Sequence, residues 1–274
     1  RERLVSPTEP ITSLRNERIK SLVRLRQRRE RDRTGRFLIE GFRELSRAAD
    51  AGITLDTLFT CPPLYLGDNE DGLVSRWRAA GAEIVEVAEA PFRKASYRDR
   101  PEGLLAVAAQ FPVSLDRLGL PSEPLLLVAE SIEKPGNLGT MLRTAEAAGA
   151  DAVVVCDPAT DPFNPNVVRA SLGTLFAVPL AVASTAETRD WLRAHGIRSL
   201  AATPAATVAH HDADLTGAVA LVIGSEQYGL TDAWIEGADE AIVIPMPGSV
   251  DSLNAAMSAG ILLFEAVRQR SGRG

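Results

Sequence analysis

Apolar residues recur in the second half of the chain as short runs, separated by stretches with helical spacing. The runs that predict strands are LLLVA (125–129), AVVVC (152–156), VPLAV (178–182), RSLAAT (198–203), AVALVIG (218–224) and AIVIP (241–245). Helical spacing covers 138–148, 165–175, 186–195 and 252–268. Because most of these strands show no polar alternation, they predict a parallel sheet that is covered by helices on both faces.

The front half repeats this alternation on a smaller scale and predicts a separate small α/β domain. Its predicted strands are 37–40, 54–60, 83–87 and 104–110, with helices over 41–52 and near 73–80. Three prolines and a glycine then interrupt the pattern between 111 and 124. The chain is therefore predicted to have a basic N-terminal arm or helix (1–36), a small domain (37–111), a linker (112–123) and a larger α/β domain (124–270).

Charge is distributed unevenly along the 274 residues, whose net charge is −6. Between Arg15 and Arg36 ten basic residues face three acidic ones, giving +7 there and leaving −13 for the rest. A basic segment of this kind commonly contacts phosphates, so the acidic average does not exclude a nucleic-acid partner. Since Ile19, Leu22, Val23 and Leu25 have helical spacing, a solvated helix face is an equally good interpretation.

The composition, with 45% hydrophobic residues, is that of a globular protein. The two cysteines, Cys61 and Cys156, indicate no disulfide framework, and we find neither a secretion signal nor an apolar run long enough to span a membrane. These features lead us to expect a cytoplasmic protein. The histidines, His195, His210 and His211, lie outside the motifs described below, and we expect no metal site.

Unusual residues follow three of the predicted strands, where ligands bind in open parallel sheets. The segments are EKPGNLGTMLRTAEAAGA (133–150), IGSEQYGL (223–230) and IPMPGSVDSLNAAMSAG (244–260). Neither a phosphate-binding loop nor a dinucleotide fingerprint is present, which argues against nucleoside triphosphate chemistry and against a nicotinamide oxidoreductase. Backbone groups of the glycine-bearing turns, flanked by Ile223, Ile244, Met246 and Leu253, suit the edge and faces of an adenine ring.

The ordered set KPGNLGTMLRTA (134–145), LVIGSEQYGL (221–230) and IPMPGSVDSLNAAMSAGILLFEAVRQR (244–270) resembles the three motifs of the SpoU/TrmH family, within the SPOUT class. The front half, from FLIEGFRELSRAADAGI (37–53) to RPEGLLAVA (100–108), resembles that family's substrate-binding domain. Members are S-adenosylmethionine-dependent RNA ribose 2′-O-methyltransferases. The resemblance implies a C-terminal parallel-sheet domain with a deep trefoil knot, a homodimer, and an RNA partner, with 23S-type rRNA favoured over tRNA.

The same resemblance assigns candidate residues motif by motif. Those implied to be catalytic are Asn137, Arg143, Glu226, Ser252 and Asn254. Those implied to bind S-adenosylmethionine are Ile223, Gly224, Ser225, Gly229, Ile244, Met246, Ser252 and Leu253. Without the family, Asn137 and Ser252 are equally well explained as helix caps, and Arg143 as an exposed charge. The final helix, with Met257, Ile261 and Phe264, is compatible both with a dimer interface and with packing on its own sheet.

Basic residues outside the motifs are the predicted phosphate contacts: Arg15, Arg26, Arg28, Arg29, Arg36, Arg98 and Arg169. Because a guanidinium keeps its proton below a pH of about 12, we expect Arg143 to clamp a phosphate and stabilise a developing alkoxide rather than to act as a base. A tRNA methyltransferase and a non-catalytic RNA-binding protein are the alternatives. The sequence does not decide which nucleotide is modified, nor between a housekeeping role and antibiotic resistance.

Overall fold

The computed structural model describes residues 9–272. Within this range the chain divides into two compact units. The N-terminal unit contains the chain up to Phe111 together with Phe163–Phe176, and the C-terminal unit contains Pro112–Pro162 and the chain from Ala177 onward. The first eight residues of the predicted basic arm lie outside the described residues.

The front half forms a four-stranded mixed sheet with the order β1-β4-β2-β3. Its strands are β1 (Arg36–Glu40), β2 (Leu55–Thr60), β3 (Glu83–Glu86) and β4 (Leu104–Ala109). Its helices are α1 (Glu17–Arg24), α2 (Arg28–Thr34), α3 (Phe42–Asp50), α4 (Glu70–Ala79) and α5 (Glu89–Ala95). Strand β4 is antiparallel to both β1 and β2, whereas β2 and β3 run parallel.

The basic segment before this sheet is folded into the N-terminal unit. Ile19, Leu22 and Leu25 are buried in one core cluster with Phe59 and Phe92. Fully burying one such side chain contributes about 1.5–3 kcal/mol, so α1 is held by its apolar face. The amphipathic interpretation is therefore confirmed for α1, whose basic residues Arg18, Lys20 and Arg24 lie on a packed helix.

The second half forms a seven-stranded sheet with the order β7-β6-β5-β10-β8-β11-β9. Its strands are β5 (Leu125–Glu130), β6 (Ala152–Cys156), β7 (Leu180–Ala183), β8 (Arg198–Ala202), β9 (Val208–Ala209), β10 (Val219–Ile223) and β11 (Glu240–Val243). The helices are α6 (Pro135–Ala147), α7 (Pro165–Ala170), α8 (Thr185–Ala194), α9 (Asp232–Ile235) and α10 (Ala255–Ser271). Every pairing in this sheet is parallel, as predicted.

The central strands of this sheet end together. Strand β10 lies between β5 and β8, with Ile223 opposite Ala129 and Val222 opposite Ala201. The loops that follow β5, β8, β10 and β11 therefore leave from one edge, which is the edge where ligands bind in such sheets. Helix α10 packs against α6, and Gly260 of α10 faces Thr144 of α6.

The segment between β6 and β7 contributes to the N-terminal unit, which the sequence did not predict. Phe163 and Phe176, at the ends of this segment, pack in tilted and edge-to-face contacts with Phe37 and Phe111. Ring centroids of Phe37 and Phe163 are 5.0 Å apart. Helix α7 starts at Pro165 after Asn164, whose side chain accepts from the backbone of Asn166.

The predicted strands and helices are confirmed to within a few residues, and the sequence pattern missed α5, α9 and β9. Two of the missed elements, α9 and β9, are four and two residues long, too short for a periodicity to be visible. The trefoil knot stays a prediction. None of the helices in the described part of the chain is both long and apolar enough to span a bilayer.

Candidate active site

A cavity of about 460 Å³ opens at the edge where β8, β10 and β11 end. The loops after these three strands and the first turns of α10 form its walls. Apolar groups line most of it, including Leu230, Ile235 and Val243. All the residues predicted to bind the cofactor line this one cavity: Ile223, Gly224, Ser225, Gly229, Ile244, Met246, Ser252 and Leu253.

The loop after β10 folds back on itself as a tight turn against the cavity. Ser225 and Gly229 exchange two backbone hydrogen bonds of 3.1 and 3.0 Å, and the Ser225 hydroxyl accepts from the backbone of Tyr228. A Cβ atom at Gly224 would collide with the backbone of Gly229 and Leu230. Glycine is therefore required at position 224, because the chain passes too close for any side chain.

Three of the predicted catalytic residues meet beside this cavity. The Asn254 amide Nδ2 donates to Oδ1 of Asn137, at 3.1 Å, and also to Glu226 Oε1. Its Oδ1 accepts from the backbone of Ala256 and Met257 and so caps α10. The cap fixes which end of the amide faces Glu226, because only the oxygen can accept from backbone N–H groups. Asn254 thus links the first turn of α6, the loop after β10 and the start of α10.

Glu226 is held in its ionised form by its surroundings. The Lys134 ammonium lies 2.6 Å from Glu226 Oε2. This contact lowers the pKa of Glu226 below its usual value, an effect that partial burial opposes and that the nearby Asn137 amide and the Ala255 backbone reinforce. With its oxygens engaged and its pKa lowered, Glu226 is suited to holding neighbouring groups in place and is a poor proton acceptor.

The Asn137 side chain has unused hydrogen-bonding capacity. Its Nδ2 atom is buried and has no hydrogen-bond partner among the described residues. A buried donor without an acceptor is costly in an isolated fold, by about 1–3 kcal/mol. Such a donor beside a cavity indicates a place where a bound molecule supplies the acceptor.

The other two predicted catalytic residues do not join this cluster. Arg143 is exposed on α6, and no ion pair or hydrogen bond of its side chain occurs within residues 9–272. Ser252 is exposed and lines the cavity. Glu226 pairs with Lys134, and no contact between Glu226 and Arg143 occurs among the described residues.

Two capping assignments are corrected by the structure. Helix α6 starts at Pro135 with Lys134 as its N-cap, so Asn137 lies inside the first turn and does not cap the helix. Helix α10 is capped by Asn254 and not by Ser252. The cap explanation therefore falls for Asn137 and Ser252, and it holds for Asn254, which combines a cap with contacts to Glu226 and Asn137.

Two of the predicted phosphate contacts are used inside the N-terminal unit. Arg26 Nη2 donates to the backbone oxygens of Lys94, Ala95 and Ser96. Arg98, with its side chain 12% exposed, pairs with Glu44 at 2.6 Å and with Glu102. We therefore withdraw Arg26 and Arg98 as phosphate contacts, because acceptors of the protein already occupy their guanidinium groups.

The remaining predicted phosphate contacts lie on the surface. Arg28 pairs with Asp32 and Arg36 with Asp56, and all four side chains are two-fifths or more exposed. Arg15, Arg29 and Arg169 are exposed, and no ion pair of their side chains occurs in the described part of the chain. These three are free to meet an anion, and their role as RNA contacts stays a prediction.

Sequence reasoning missed two parts of the site. The loop Ala202–Ala205 after β8 lines the cavity, although no motif marks it. The sequence could have indicated this loop, because the predicted strand β8 belongs to the same parallel sheet and ends at the same edge. Lys134 was quoted within a motif but given no role. Nothing in the sequence places it beside Glu226, because the two residues are far apart in the chain.

The described residues contain no group of three or more His, Cys, Asp or Glu side chains arranged to hold a metal ion.

Two family models match the chain. Residues 124–264 match the SpoU rRNA methylase family. Residues 16–106 match the MRM3-like substrate binding domain, which includes α1 and α2.

Two relatives align along almost the whole chain. A 23S rRNA (uridine(2479)-2′-O)-methyltransferase of Streptomyces viridochromogenes is 36% identical over 91% of this chain and 88% of its own length. The 23S rRNA (guanosine(2553)-2′-O)-methyltransferase RlmP of Bacillus subtilis is 30% identical over 93% of this chain and 97% of its own length.

A solved structure extends the likeness to the fold. The AdoMet-bound rRNA methyltransferase of Sinorhizobium meliloti is 33% identical, covers 95% of this chain and 97% of its own, and superposes with a TM-score of 0.86.

Proposed function

The chain belongs to the SpoU rRNA methylase family and is an S-adenosylmethionine-dependent RNA (ribose-2′-O)-methyltransferase, and we propose that its substrate is 23S rRNA. One observation carries the assignment of the site: Glu226 lines the 460 Å³ cavity and also bonds the Asn254 and Asn137 cluster. Glu226 therefore connects a cavity that can hold a small molecule with a set of oriented polar side chains.

The cavity fits S-adenosylmethionine. Its volume falls within the range of about 300–1,000 Å³ that is typical of small-molecule sites. Ile244, Met246 and Leu253 offer aliphatic surface for an adenine, and the turn from Gly224 to Gly229 offers backbone groups for its edge. When bound, S-adenosylmethionine supplies an electrophilic methyl group. The unpartnered Asn137 Nδ2 supplies a donor for a bound acceptor nearby.

We assign Arg143 to the RNA. Its guanidinium is exposed and without an ion pair in the described residues, and it stays protonated at any physiological pH. An unpaired, permanently charged fork is suited to a bidentate contact with the phosphate beside the target ribose. From there it stabilises negative charge that develops on the 2′-oxygen, while the proton leaves to phosphate or water.

We assign Glu226, Asn137 and Asn254 to orientation. The carboxylate of Glu226, held by Lys134, fixes the Asn254 amide, and Asn254 in turn fixes Asn137. Such preorganised amides position a ribose without having to give or take its proton. Ser252, at the cavity wall, is placed to contact either the cofactor or the ribose.

RNA binding is assigned in part to the free arginines of the N-terminal unit, Arg15, Arg29 and Arg169. None of the three makes an ion pair with an acidic residue of the described chain, and an exposed guanidinium is suited to a phosphate. Ribosomal RNA as the substrate requires the enzyme to reach ribosomal precursors, and we therefore propose that it acts in the cytoplasm.

We further propose that the enzyme is a homodimer that uses α10. Met257, Ile261 and Phe264 recur at helical spacing and are 61%, 37% and 50% exposed. The opposite face of α10, including Leu262, Leu263 and Ala266, is buried in the C-terminal unit. The exposed apolar stripe has the character of an uncovered interface, and light scattering of wild type and Phe264→Glu tests it.

The reaction is tested with purified protein, methyl-labelled S-adenosylmethionine, and separate 23S rRNA, 16S rRNA and tRNA. We expect one ribose of 23S rRNA to be labelled and to resist alkaline cleavage at its 3′ side. Transfer to a base, or no transfer by protein that binds the cofactor, contradicts the proposed reaction. Labelling of tRNA alone contradicts only the proposed substrate.

The role of Arg143 is tested with Lys and Ala. We expect Arg143→Ala to lower kcat by about 100- to 1,000-fold, as loss of a transition-state charge contact does. Arg143→Lys keeps the charge but not the fork, so we expect partial recovery. Full activity of Arg143→Lys contradicts a requirement for bidentate contact.

A further inference from the structure

Glu130 is a buried carboxylate that the mechanism above does not use. It is the last residue of β5, and its side chain is buried at the edge of the sheet where the cavity opens. Its two oxygens accept three hydrogen bonds, all of 2.8 Å: Oε1 from the hydroxyls of Thr185 and Thr231, and Oε2 from the backbone N–H of Thr231. The carboxylate is thus held by the first residue of α8 and by the N-cap residue of α9.

Thr231 ends the loop that forms one wall of the cavity. The residue before it, Leu230, lines the cavity, and so does Ile235 in the helix after it. Thr231 is the N-cap residue of α9, yet its hydroxyl makes no capping bond. That hydroxyl donates to Glu130 instead. Both the backbone and the side chain of Thr231 are therefore committed to one carboxylate.

Glu130 is the last residue of β5, which is an interior strand of the sheet. Strand β5 is paired with β10 on one side and β6 on the other, and Glu130 lies opposite Cys156. The next residue, Ser131, has a left-handed backbone with φ of 50°, and its N–H donates to the Cys156 carbonyl at 2.9 Å. A non-glycine residue in this conformation persists only where the surrounding structure holds it.

We propose that Glu130 is a positioning residue for the S-adenosylmethionine cavity, because it fixes the Thr231 end of the loop that forms the cavity wall. The other end of this loop is fixed by β10 and by the turn between Ser225 and Gly229. Without Glu130, only one end of the wall is tied to the sheet. The inference rests on the cavity being the cofactor site.

Thr185 offers a matched control, because its hydroxyl donates to the same oxygen at the same distance but belongs to α8. Loss of either hydroxyl leaves Glu130 with one donor fewer. Only loss of the Thr231 hydroxyl weakens the attachment of the cavity wall, which then keeps the backbone N–H of Thr231 as its one hydrogen bond to Glu130. A merely structural role of Glu130 therefore predicts equal effects of Thr231→Val and Thr185→Val on cofactor binding, whereas positioning predicts unequal effects.

The test measures the Kd for S-adenosylmethionine by calorimetry in the full-length Thr231→Val, Thr185→Val and Thr231→Ser variants. A hydrogen bond to a charged group justifies an expected increase of about tenfold for Thr231→Val. We expect less than about twofold for Thr185→Val and for Thr231→Ser, which keeps the hydroxyl. The melting temperatures of both Val variants should fall by similar amounts.

Hydrogen exchange provides a readout that does not depend on the cofactor. Amides between Tyr228 and Ile235 should exchange faster in Thr231→Val than in Thr185→Val or in wild type. Equal Kd values for the two Val variants, or unchanged exchange in this segment, overturn the role of Glu130. Failure of the wild type to bind S-adenosylmethionine instead overturns the cofactor assignment, and the exchange comparison still decides whether Glu130 anchors the wall.

Discussion

The two units each contain a cluster of charged and polar side chains, and the clusters differ in access. In the N-terminal unit Arg98 lies between Glu44, Glu102 and the backbone oxygen of Glu40, and Glu44 is 2% exposed. In the C-terminal unit Lys134, 70% exposed, pairs with Glu226 on the cavity wall. One cluster neutralises charges within the fold, and the other presents oriented groups to a space that a small molecule can enter.

This difference separates structural from functional charge more reliably than residue type does. Burial raises the pKa of Glu44 against the pull of Arg98, whereas the pKa of Glu226 is lowered, chiefly by Lys134. The opposite pKa shifts mean that the fold disfavours the ionised form of Glu44 and favours the ionised form of Glu226. The N-terminal carboxylate is costly to ionise in the fold, and the one beside the cavity is stabilised as an anion.

The largest expected effect is on stability, from Arg98→Ala. Removing one partner of a buried pair leaves Glu44 without its counter-charge, which typically costs about 3–5 kcal/mol. The measurement is urea unfolding of the full chain, followed by circular dichroism.

Arg76→Ala is the matched control for this prediction. Arg76 pairs with Asp50 at 2.8 Å, but both side chains are about half exposed or more. Such pairs contribute about 0–1 kcal/mol. Equal losses for the two variants contradict a buried structural role of Arg98. The folded Arg98→Ala protein should still bind S-adenosylmethionine with wild-type affinity.

The next largest effect is on catalysis, from Asn254. Asn254→Ser keeps a residue that caps helices well but removes the amide that links Glu226 and Asn137. We expect kcat to fall about 100-fold, equivalent to about 2.7 kcal/mol, with little change in stability. Asn254→Ala should show the same fall in kcat and lose about 1 kcal/mol of stability in addition.

Asn16 serves as the control for the cap. Its side chain accepts from the backbone of Arg18 at the start of α1, far from any catalytic motif in the sequence. Asn16→Ala should cost about 1 kcal/mol of stability and leave kcat unchanged. A normal kcat for Asn254→Ser shows that Asn254 only caps its helix.

The sequence predicted the sheet and the cavity well because both depend on local patterns. Apolar runs located β5, β6 and β10 to within about a residue, and a parallel sheet brings the ends of its strands together wherever its loops lead. The motifs placed Asn137, Glu226 and Asn254 in segments that follow strands ending at one edge of the sheet. Their meeting follows from topology.

The charged contacts were not predictable, because each depends on a partner distant in the chain. Arg26 bonds backbone oxygens 68 to 70 residues away, and Arg98 pairs with Glu44, 54 residues away. Nothing in a run of arginines tells which guanidinium groups turn inward. The segment 163–176 is a similar case, since its place in the N-terminal unit follows from the aromatic cluster around Phe37.

The dependence of stability on pH is expected to be a smaller effect than those of Arg98→Ala and Asn254→Ser. It tests the difference between the buried cluster around Arg98 and the cluster around Glu226. Burial raises the pKa of Glu40 above its usual 4.5, against hydrogen bonds from Ser96 and Tyr97 and the charges of Arg98 and Arg26. The folded state therefore holds this proton more tightly than the unfolded state. The contribution of Glu40 is fully present below pH 4.5 and is lost as the pH rises through the raised pKa.

Glu40→Gln removes this titration, so its unfolding free energy should decline less than that of wild type as the pH rises above 4.5. One group changes the slope by at most about 1.4 kcal/mol per pH unit. Glu44, whose pKa is also raised, leaves a residual decline in the unfolding free energy.

Glu226→Gln should have the opposite effect on the unfolding free energy, because it removes stability that the lowered pKa of Glu226 supplies above pH 4.5. Urea titrations across pH 4–8 compare the three proteins, and parallel curves contradict the assigned directions.

The smallest expected effect concerns the exposed arginines. Arg29→Ala removes one charge that is free in the described chain, so we expect RNA affinity to fall a few-fold and the slope of log K against log salt to decrease in size by about 0.7–0.9. Arg29→Lys keeps the charge and should keep the slope.

Arg26→Ala should lower stability, because Arg26 donates to three backbone oxygens, and should leave the slope of the folded protein unchanged. Deletion of 1–36 cannot replace these variants, since it removes the buried Ile19, Leu22 and Leu25. Equal slopes for wild type and Arg29→Ala remove Arg29 from the RNA surface, and a changed slope for Arg26→Ala shows that inward-facing arginines also reach the phosphates.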